Sequence, residues 1–511
     1  MIKFVVMSKE KKYLWLIVGA SILLRGIFAA CTELSNDEAL YRILAIFPAM
    51  GYYAHPPMVA LLARLTTLGA SVAPEFFVRI SSVIIGTVNT ILVFKIATRL
   101  TGKEKTGLIT TLLYTASVYA TVFIGITLLP DSFLSLCWLC ALDIMLTLAR
   151  NPEIKNTGKG TVLMLTMGLA VGIGALSKYT AGYLAIAWFV YVLIYDRKWL
   201  GKWSLWGALL IAFAVFSPAI IWNLNHNFAS IANQTNRLLS FEQILWWSPF
   251  REIGGNLAYQ NPINWILIVV SIVFFLKNKE RIERPVLRIL LISSVPMILL
   301  FFLASFTQPT LPHWSAPAYF GLIILAALFL DQVKCGYKVA VWSCSVMAVL
   351  LILAGIEINH EPVPIPRDVN AADVGRDDIT LDMYGWKQGG RAFAELYKKD
   401  VEEGVMRADS KVLNDVWFEG AHLDTYFALP LGLRQITFDN LDYQAISETR
   451  GGLTPGDDVY FISSSRTFVT PYESYSGGGN TIEEPETIEI MRGGRLVEKF
   501  YVYRIHIADS Y

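Results

Sequence analysis

Residues 339–357 read VAVWSCSVMAVLLILAGIE, an apolar run long enough to approach the ~30 Å of a bilayer's hydrocarbon core, and they stand just before an abrupt change in composition. From residue 363 onward the chain carries 15 Lys and Arg against 25 Asp and Glu, whereas residues 1–362 carry a net charge of +11. The overall formal charge of +1 is a cancellation between these two parts. We predict a membrane-embedded domain over residues 1–362 and a soluble domain over residues 363–511.

Further apolar runs of span length, or nearly so, follow one another through the first of these domains. They lie at 13–30, 76–98, 108–127, 132–149, 161–177, 180–195, 204–222, 263–276, 287–306 and 314–330. Only 17% of the 511 residues are charged, against about 25% in soluble proteins, which excludes an ordinary soluble enzyme. Arg25 inside the first run argues against its removal as a signal peptide. These runs predict an α-helical polytopic membrane protein with about eleven spans.

The distribution of Lys and Arg between the connecting segments predicts the orientation of the chain. With a cytoplasmic N-terminus, the inside segments hold 20 Lys and Arg in 60 residues, and the outside segments hold 5 in 99. An odd number of spans then places residues 363–511 outside the cytoplasm. We therefore expect a multi-pass protein of the inner (plasma) membrane with a cytoplasmic N-terminus and an extracytoplasmic C-terminal domain.

The pattern of the acidic tail predicts a compact α/β domain. Apolar residues recur at helical spacing over 386–401, and the segments 411–416, 459–463 and 500–507 have the character of strands. The glycine cluster at 476–480 predicts a loop. No residue of the tail by itself suggests a catalytic group.

Polar side chains collect in the segments that the charge distribution assigns to the outer face. They are Asp37, Glu38, Tyr41, Tyr52, Tyr53 and His55 in the first loop, Asp131 and Lys178 at span ends, Trp222, Asn223, His226, Asn227, Arg237, Arg251, Glu252 and Tyr259 at the long loop, and His313 and Trp314 before the tenth run. Charge at or near the hydrocarbon region is expensive. A shared site that faces outward explains this concentration with the fewest assumptions.

Each of these residues also has an ordinary structural alternative. Asp37 could cap the helix that begins after it, and Ser35 or Asn36 would fill that role equally well. The alternatives for the others are a helix cap for Asp131, a snorkelling cation for Lys178, a turn residue for His55 and structural interfacial positions for His226 and His313.

This combination of a carboxylate and several cations suits one kind of reaction. A carboxylate can accept a proton from an attacking hydroxyl or amine, and cations can stabilise a departing phosphate. A phosphate leaving group is a weak base and needs positive charge more than a proton donor. The pattern therefore predicts glycosyl transfer from a phospholipid-linked sugar.

Several short motifs carry a resemblance to a known family. They are SNDEALY (35–41), YYAHPPMVA (52–60), LPDSF (129–133), LSKYT (176–180), IWNLNHNF (221–228) and PHW (312–314), with YGWK (384–387) and WFEGAHLDTYF (417–427) in the tail. In this order they resemble the GT-C membrane glycosyltransferases, specifically the bacterial and archaeal branch related to protein O-mannosyltransferases and aminoarabinose transferases. The resemblance covers essentially the whole chain.

The resemblance implies roles for individual residues. It implies that Asp37 is the catalytic base, that Glu38 orients the site, and that Asp131 is a second acidic site residue. Lys178 is implied to contact the donor phosphate, whereas His55 stands where aminoarabinose transferases have a lysine. We add Arg237 and His226 as donor-phosphate or lipid contacts, and Tyr41, Tyr52, Tyr53, Asn223, His313 and Trp314 as cavity residues.

The resemblance also implies the partners of the reaction. The donor is a polyprenyl-phosphate-linked sugar of the undecaprenyl or dolichyl type, the acceptor is an extracytoplasmic lipid, glycan or protein, and transfer inverts the anomeric centre. No nucleic acid is expected. Asp37, Glu38 or Asp131 would be the ligands of a divalent metal, although the chemistry requires no cofactor. Two alternatives from other classes are a secondary transporter with an outward-facing charged site and a lipid-binding scaffold.

Overall fold

The structure is a computed structural model that describes residues 7–72, 75–239 and 244–509. Its helices in chain order are α1 (Lys9–Cys31), α2 (Asn36–Leu44), α3 (Met58–Thr66), α4 (Glu75–Thr101), α5 (Glu104–Ala116), α6 (Pro130–Arg150), α7 (Gly158–Ser177), α8 (Gly182–Tyr195), α9 (Trp203–Asn225), α10 (Ala229–Leu239), α11 (Ser248–Gln260), α12 (Pro262–Lys277), α13 (Arg284–Ile292), α14 (Val295–Ala304), α15 (Tyr319–Leu330), α16 (Gly336–His360), α17 (Trp386–Glu402), α18 (Trp417–Leu423), α19 (Leu441–Thr449) and α20 (Tyr472–Tyr475). The strands are β1 (Lys411–Leu413), β2 (Arg434–Ile436), β3 (Asp458–Ser464), β4 (Thr481–Ile482), β5 (Glu486–Arg492) and β6 (Arg495–His506).

The helical pattern confirms a polytopic membrane protein. Within the described ranges, seven helical segments are long and apolar enough to cross a membrane: α1, α4, α6, α7, α9, α13 with α14, and α16. A further pair, α11 and α12, would count as one more span but bends by 104° at Asn261, whose backbone has a φ of 71°. The runs at 180–195 and 314–330 form shorter apolar helices. The number of about eleven spans stays a prediction.

Two helices of the membrane-spanning region, α5 and α7, end although no proline or glycine directly follows them. The helix α5 ends at Ala116, Ser117 is extended, and a single wide helical turn follows at Tyr119–Phe123. The helix α7 ends at Ser177, and Lys178 adopts an extended conformation with φ −153° and ψ 134° before the chain turns into α8. Such irregular turns are frequent at functional sites.

The described chain divides into two compact units. The first, which we call the helical unit, comprises Met1–Ile27, Ala49–Val59 and Arg79–Leu351. The second, which we call the tail unit, comprises Phe28–Pro48, Ala60–Val78 and Ile352–Tyr511. The tail unit therefore takes two segments from the region between α1 and α4 in addition to the acidic C-terminal sequence. The predicted boundary between residues 362 and 363 stays a prediction.

Small residues allow close helix packing in the helical unit. A Cβ atom at Gly168 would lie 2.2 Å from the carbonyl oxygen of Ala208, and one at Gly172 would lie 2.8 Å from that of Ala212. The helices α7 and α9 therefore approach with their backbones almost in contact, as small residues permit in membrane helices. The side chains of Trp138 and Trp188 are almost completely buried in the same core.

The tail unit has a six-stranded sheet with the order β2-β1-β3-β6-β4, and β5 pairs with β6. The first two neighbouring pairs are parallel, and the pairs that include β6 are antiparallel. The amphipathic helix α17 buries Trp386 and Phe393 in the core of this unit. The predicted α/β fold of the C-terminal sequence is thus confirmed.

The predicted strands differ from the observed ones mainly in length. The strand predicted over 411–416 ends at Leu413, because the side chain of Asn414 donates to the carbonyl of Ile462 and accepts from the amide of Val416. The strand predicted over 500–507 extends back to Arg495 as the second strand of a hairpin with β5. The glycine cluster at 476–480 lies in a loop, as predicted.

Candidate active site

A buried ion pair forms the centre of the helical unit's polar site. The Nζ atom of Lys178 lies 2.8 Å from Oδ2 and 3.0 Å from Oδ1 of Asp131, and the two side chains are 10% and 3% exposed. The hydroxyl of Tyr119 donates to Oδ1 of Asp131 at 2.7 Å. One carboxylate therefore accepts from an ammonium and a phenol, and these charge-assisted bonds hold it in a fixed position.

Local backbone structure explains why these side chains meet. Asp131 lies in the first turn of α6, where Pro130 begins the helix and a negative charge is favoured by the helix dipole. Lys178 lies at the break between α7 and α8, and the hydroxyl of the preceding Ser177 donates to the carbonyl of Pro130 at 2.6 Å. That bond joins the two helix ends directly. The alternatives of a solitary helix cap and a snorkelling lysine are therefore not what the structure shows.

Two histidines face the ion pair. Desolvation lowers the pKa of His55 to about 3, and Lys178 and Arg237 contribute to the lowering while Asp131 opposes it. Desolvation likewise lowers the pKa of His313 to about 4. Both imidazoles are therefore neutral at physiological pH, and they can offer hydrogen bonds but not positive charge.

The histidine at 313 belongs to an aromatic stack. Its ring lies 6.2 Å from that of Phe123 and 6.4 Å from that of Tyr259, with both ring pairs nearly parallel. The neighbouring Trp314 packs against Phe301. The predicted cavity residues His313 and Trp314 thus lie together on one aromatic wall.

A second aromatic group contains several predicted residues. Trp222 and His226 stack with their ring centroids 4.0 Å apart, and Tyr53 meets Trp222 edge-on at 5.2 Å. The Nδ1 atom of His226 donates to the carbonyl of Trp222 at 2.8 Å. Tyr52 is buried, and its amide donates to the carbonyl of His55. A Cβ atom at Gly51 would meet the Trp222 ring at 2.9 Å, so this packing requires glycine there.

The helix α10 is tied to the loop that carries His55. The side chain of Gln234 donates to the carbonyl of Ala54 at 2.8 Å, and that of Asn233 donates to the carbonyl of Tyr53. Asn223 accepts from the amide of Ile231 and so holds the start of the same helix. The exposed Arg237 lies near the other end of α10.

An apolar cavity adjoins the ion pair. It has a volume of about 630 Å³ and is lined by residues of α7, α8, α9, α10 and α14. Tyr179, the residue after Lys178, is part of the lining, and Gln234 is one of its few polar groups. The other lining residues are Val171, Gly172, Ala175, Gly182, Ala185, Leu209, Ala212, Phe213, Phe216, Ile231, Thr235, Leu300 and Ala304.

Three predicted site residues belong to the tail unit. Ser35 precedes the first residue of α2, and its amide and hydroxyl both donate to the carboxylate of Glu38, at 3.0 and 2.9 Å. Ser35 is therefore the N-cap, and Glu38 closes a capping box. Asp37 lies in the first turn with an exposed side chain, whereas Tyr41 is buried.

The donor groups present do not fit a metal ion as they stand. In the described ranges, no group of three or more His, Cys, Asp and Glu side chains is arranged to hold one. The Asp131 carboxylate already accepts from Lys178 and Tyr119, and the Glu38 carboxylate already accepts from Ser35.

Comparison with known proteins agrees with this architecture. Residues 54–222 match the family model described as dolichyl-phosphate-mannose-protein mannosyltransferase. The chain is 23% identical over 372 residues to the lipid A galacturonosyltransferase RgtD of Rhizobium johnstonii, a match that covers 68% of this chain and 73% of the relative. The apo crystal structure of ArnT from Cupriavidus metallidurans superposes with a TM-score of 0.65 at 12% identity, over 97% of this chain and 98% of that one.

The chain has the fold of the GT-C membrane glycosyltransferases. A second ArnT structure, bound to undecaprenyl phosphate, gives a TM-score of 0.61 at 15% identity over 96% of this chain and 98% of that one. The structural matches establish the fold, and the family model and the relative add the enzyme class. The identification favours the transferase over the transporter and the scaffold.

The family match bears differently on the predicted residues of this glycosyltransferase. The matched region begins at residue 54 and therefore includes His55, Asp131 and Lys178, whereas Asp37 and Glu38 precede it. Sequence reasoning missed Tyr119, which donates to the Asp131 carboxylate. A tyrosine inside an apolar run is too common to single out, and only the wide helical turn at 119–123 marks it.

Proposed function

We propose that this GT-C glycosyltransferase transfers a sugar from a polyprenyl-phosphate donor to an extracytoplasmic acceptor, which is a lipid, a glycan or a protein, with inversion of the anomeric centre. The observation that carries the proposal is the position of a buried lysine, Lys178, directly before Tyr179, which lines an apolar cavity. A polyprenyl phosphate needs a cation that binds its phosphate and an apolar surface that binds its hydrocarbon chain. One of the two ArnT structures is bound to undecaprenyl phosphate, and that protein shares the fold.

The cavity suits the isoprenoid chain of such a donor. Its lining is almost wholly apolar, and it extends from Tyr179, the residue after Lys178, along α7 and α9 to α14. Removing apolar surface from water or loosely packed lipid into a matching groove favours binding. The phosphate would then lie at the Lys178 end, where the ammonium can bind it.

The proposed reaction uses the chain's side chains in distinct roles. Asp37 accepts a proton from the acceptor hydroxyl or amine, the freed nucleophile bonds to the anomeric carbon, and the bond from that carbon to the phosphate oxygen breaks. Lys178 stabilises the departing phosphate, and Arg237 supplies a second positive charge. Asp131 holds Lys178 in place. His55, neutral as its low pKa requires, contributes a hydrogen bond.

The remaining predicted residues have supporting roles in this proposal. Glu38 fixes α2 and thereby the direction of Asp37. His226 stacks on Trp222, and its role as a donor-phosphate or lipid contact stays a prediction. In the helical unit, Tyr52, Tyr53, Asn223, His313 and Trp314 shape the space for the sugar, and the role of Tyr41 in the tail unit stays a prediction.

The proposal is tested by transfer of radiolabel from a panel of polyprenyl-phosphate sugars, with purified protein in detergent. Because RgtD is named for lipid A and for galacturonic acid, the panel includes a hexuronic acid donor and the acceptors include lipid A. Transfer of label to any acceptor supports the proposal. Absence of both transfer and donor binding across the panel would contradict it.

A bulky side chain in the cavity is expected to weaken binding of long-chain donors. Ala304→Trp projects into the lining of the cavity and should raise KM for an undecaprenyl donor by about tenfold or more, with kcat near that of the wild type. Steady-state rates with donors of different chain lengths provide the measurement. A donor with a two-isoprene chain should be much less affected, because its chain stays near Lys178.

The matched control for this variant is Leu303→Trp on the same helix. Leu303 is 63% exposed and does not line the cavity, so its replacement places the same indole ring elsewhere. Equal effects of the two variants on KM would show that the cavity does not hold the donor chain.

The proposed orientation predicts which native cysteine an impermeant reagent reaches. Cys31 and Cys335 are exposed, and the charge distribution places them on opposite sides of the membrane. In intact spheroplasts a membrane-impermeant maleimide should label the Cys335→Ser variant through Cys31. The Cys31→Ser variant should be labelled at Cys335 only after permeabilisation.

The variant that lacks both exposed cysteines measures the background. Its remaining cysteines, Cys137, Cys140 and Cys344, are buried or half-buried. Labelling of Cys335 from outside, with Cys31 protected until permeabilisation, would invert the proposed topology.

A further inference from the structure

The short stretch that leads into α2 is bound from several directions by side chains and backbone of the C-terminal sequence. The Glu33 carboxylate accepts from the amides of Trp386 and Lys387, at 2.8 and 3.2 Å. The amide of Leu34 donates to the hydroxyl of Tyr426 at 2.9 Å. Both contacts lie within the tail unit and join segments about 350 residues or more apart in sequence. The backbone just before Asp37 is therefore held from outside its own helix.

The side chain of Asn36, the residue directly before Asp37, belongs to a network of hydrogen-bonded side chains. Its Nδ2 donates to Oδ2 of Asp382 at 3.2 Å, and Arg466 donates to the other oxygen of the same carboxylate at 2.6 Å. Because a carboxylate only accepts, the amide oxygen of Asn36 must face the other way. It lies 3.0 Å from Nε2 of His422, which therefore donates to it.

The donor histidine is fixed in place. His422 is completely buried on α18, and its ring stacks on that of Trp386 with centroids 4.2 Å apart and planes 5° from parallel. Desolvation, with a further contribution from Arg466, lowers the pKa of His422 well below its usual value. A neutral imidazole with its proton on Nε2 satisfies every contact described.

Tyr426 lies one helical turn beyond His422 and binds the same loop a second time. Its hydroxyl accepts from Leu34 and donates to Oε1 of Glu75 at 3.0 Å. Lys387 pairs with the same Glu75 carboxylate at 2.8 Å. Tyr426 therefore binds this part of the chain at Leu34, and His422 binds it at Asn36.

We propose that His422 and Tyr426 are positioning residues that set the orientation of α2 and hence of the Asp37 carboxylate. This inference rests on the proposed function, in which Asp37 is the base. The helix α2 has only nine residues, too few to be stable or fixed in direction by itself. Contacts from the C-terminal sequence orient the N-terminal turn of this helix. The C-terminal sequence would therefore support catalysis by positioning Asp37.

The test compares two substitutions of His422 in the full chain. His422→Leu removes the donor to Asn36 and should lower kcat by about 100-fold, because a displacement near 1 Å of a reacting group has an effect of that size. KM for the donor should stay near that of the wild type. His422→Gln offers an amide donor at nearly the same place and should recover most of the lost kcat. A purely structural role would not separate leucine from glutamine in this way.

Amide hydrogen exchange supplies a readout that does not depend on activity. In His422→Leu and in Tyr426→Phe, peptides that cover residues 33–44 should exchange faster, and peptides from β3 should be unchanged. The matched control is His506→Leu, since His506 lies on β6 and binds Asp458 within the sheet. It should change neither kcat nor exchange over 33–44.

The outcomes distinguish this inference from the proposed function. If His422→Leu turns over like the wild type while Asp37→Asn is inactive, the positioning role is wrong and the base assignment stands. If Asp37→Asn is fully active, the base assignment fails. Unchanged exchange over 33–44 in the folded His422→Leu protein would overturn the inference whatever the activity.

Discussion

Replacing Asp37 by Asn is expected to lower the rate of sugar transfer by about 10²–10⁴-fold, the range that a general base contributes. The amide keeps the size of the carboxylate but cannot accept the acceptor's proton at neutral pH. Asp37 is exposed and is not the cap of α2, because Ser35 fills that position. The substitution should therefore leave the fold and the binding of donor lipid intact. Transfer rates and donor binding, measured on the same preparation, check both expectations.

The control for this variant is Asp442→Asn in the same unit. Asp442 also lies in the first turn of a helix, after the N-cap Asn440, and it is buried, so its replacement is a stricter test of the change in helix-dipole interaction that leaves α2 untouched. It should transfer sugar at the wild-type rate. Transfer by Asp37→Asn at more than a tenth of the wild-type rate would remove Asp37 as the base and direct attention to Asp131.

Removing one member of the buried ion pair is expected to affect both stability and activity. Lys178→Met leaves the Asp131 carboxylate buried without its cation and should lower the free energy of unfolding by about 3–5 kcal/mol. It also removes the cation assigned to the leaving phosphate, so donor binding and transfer should both be lost. Denaturation in mild detergent and a donor-binding assay give the two measurements.

A double variant separates the two effects. In D131N/K178Q both charges are absent, and two amides can bond to each other and to Tyr119, so most of the lost stability should return. Transfer should not return. Wild-type transfer by the double variant would show that the pair has only a structural role.

A second lysine–aspartate pair offers the comparison. Lys155 and Asp196 are 2.6 Å apart and largely shielded from solvent, and they lie near the ends of α7 and α8 away from Lys178. Lys155→Met should lower stability without changing donor affinity. Loss of donor binding in that variant would mean that destabilisation alone explains the effect of Lys178→Met.

The architecture was predictable where composition alone controls it. Long apolar runs such as 76–98 and 339–357 correspond to single helices, because no other structure satisfies the backbone of a long apolar segment in lipid. The run at 108–127 differs, since Ser117 leaves the helix with no proline or glycine beside it to announce the break. A helix break of this kind depends on contacts with other parts of the fold, and the local sequence pattern carries no information about those contacts.

The sequence predicted which residues belong to the candidate site better than it predicted what each of them does. Depth in the membrane indicated that Asp131 and Lys178 belong together, and the structure joins them directly. The capping box of Glu38 was visible as S-x-x-E in the sequence, although the resemblance directed attention to chemistry instead. The neutral state of His55 depends on desolvation by the surrounding fold, which sequence does not disclose.

The composition of the tail unit has a consequence for how the protein is made. The contact between Glu33 and Trp386 joins residues 353 positions apart, and ribosomes add about 5–20 residues per second. Roughly 18 to 70 s therefore pass between the synthesis of the two partners at that rate. During this interval the nascent chain exposes α2 without the sequence that binds it. The tail unit, which contains Asp37, is therefore complete only after the C-terminal sequence that binds Glu33 has been synthesised, and we expect a chain that stops before Trp386 to be inactive.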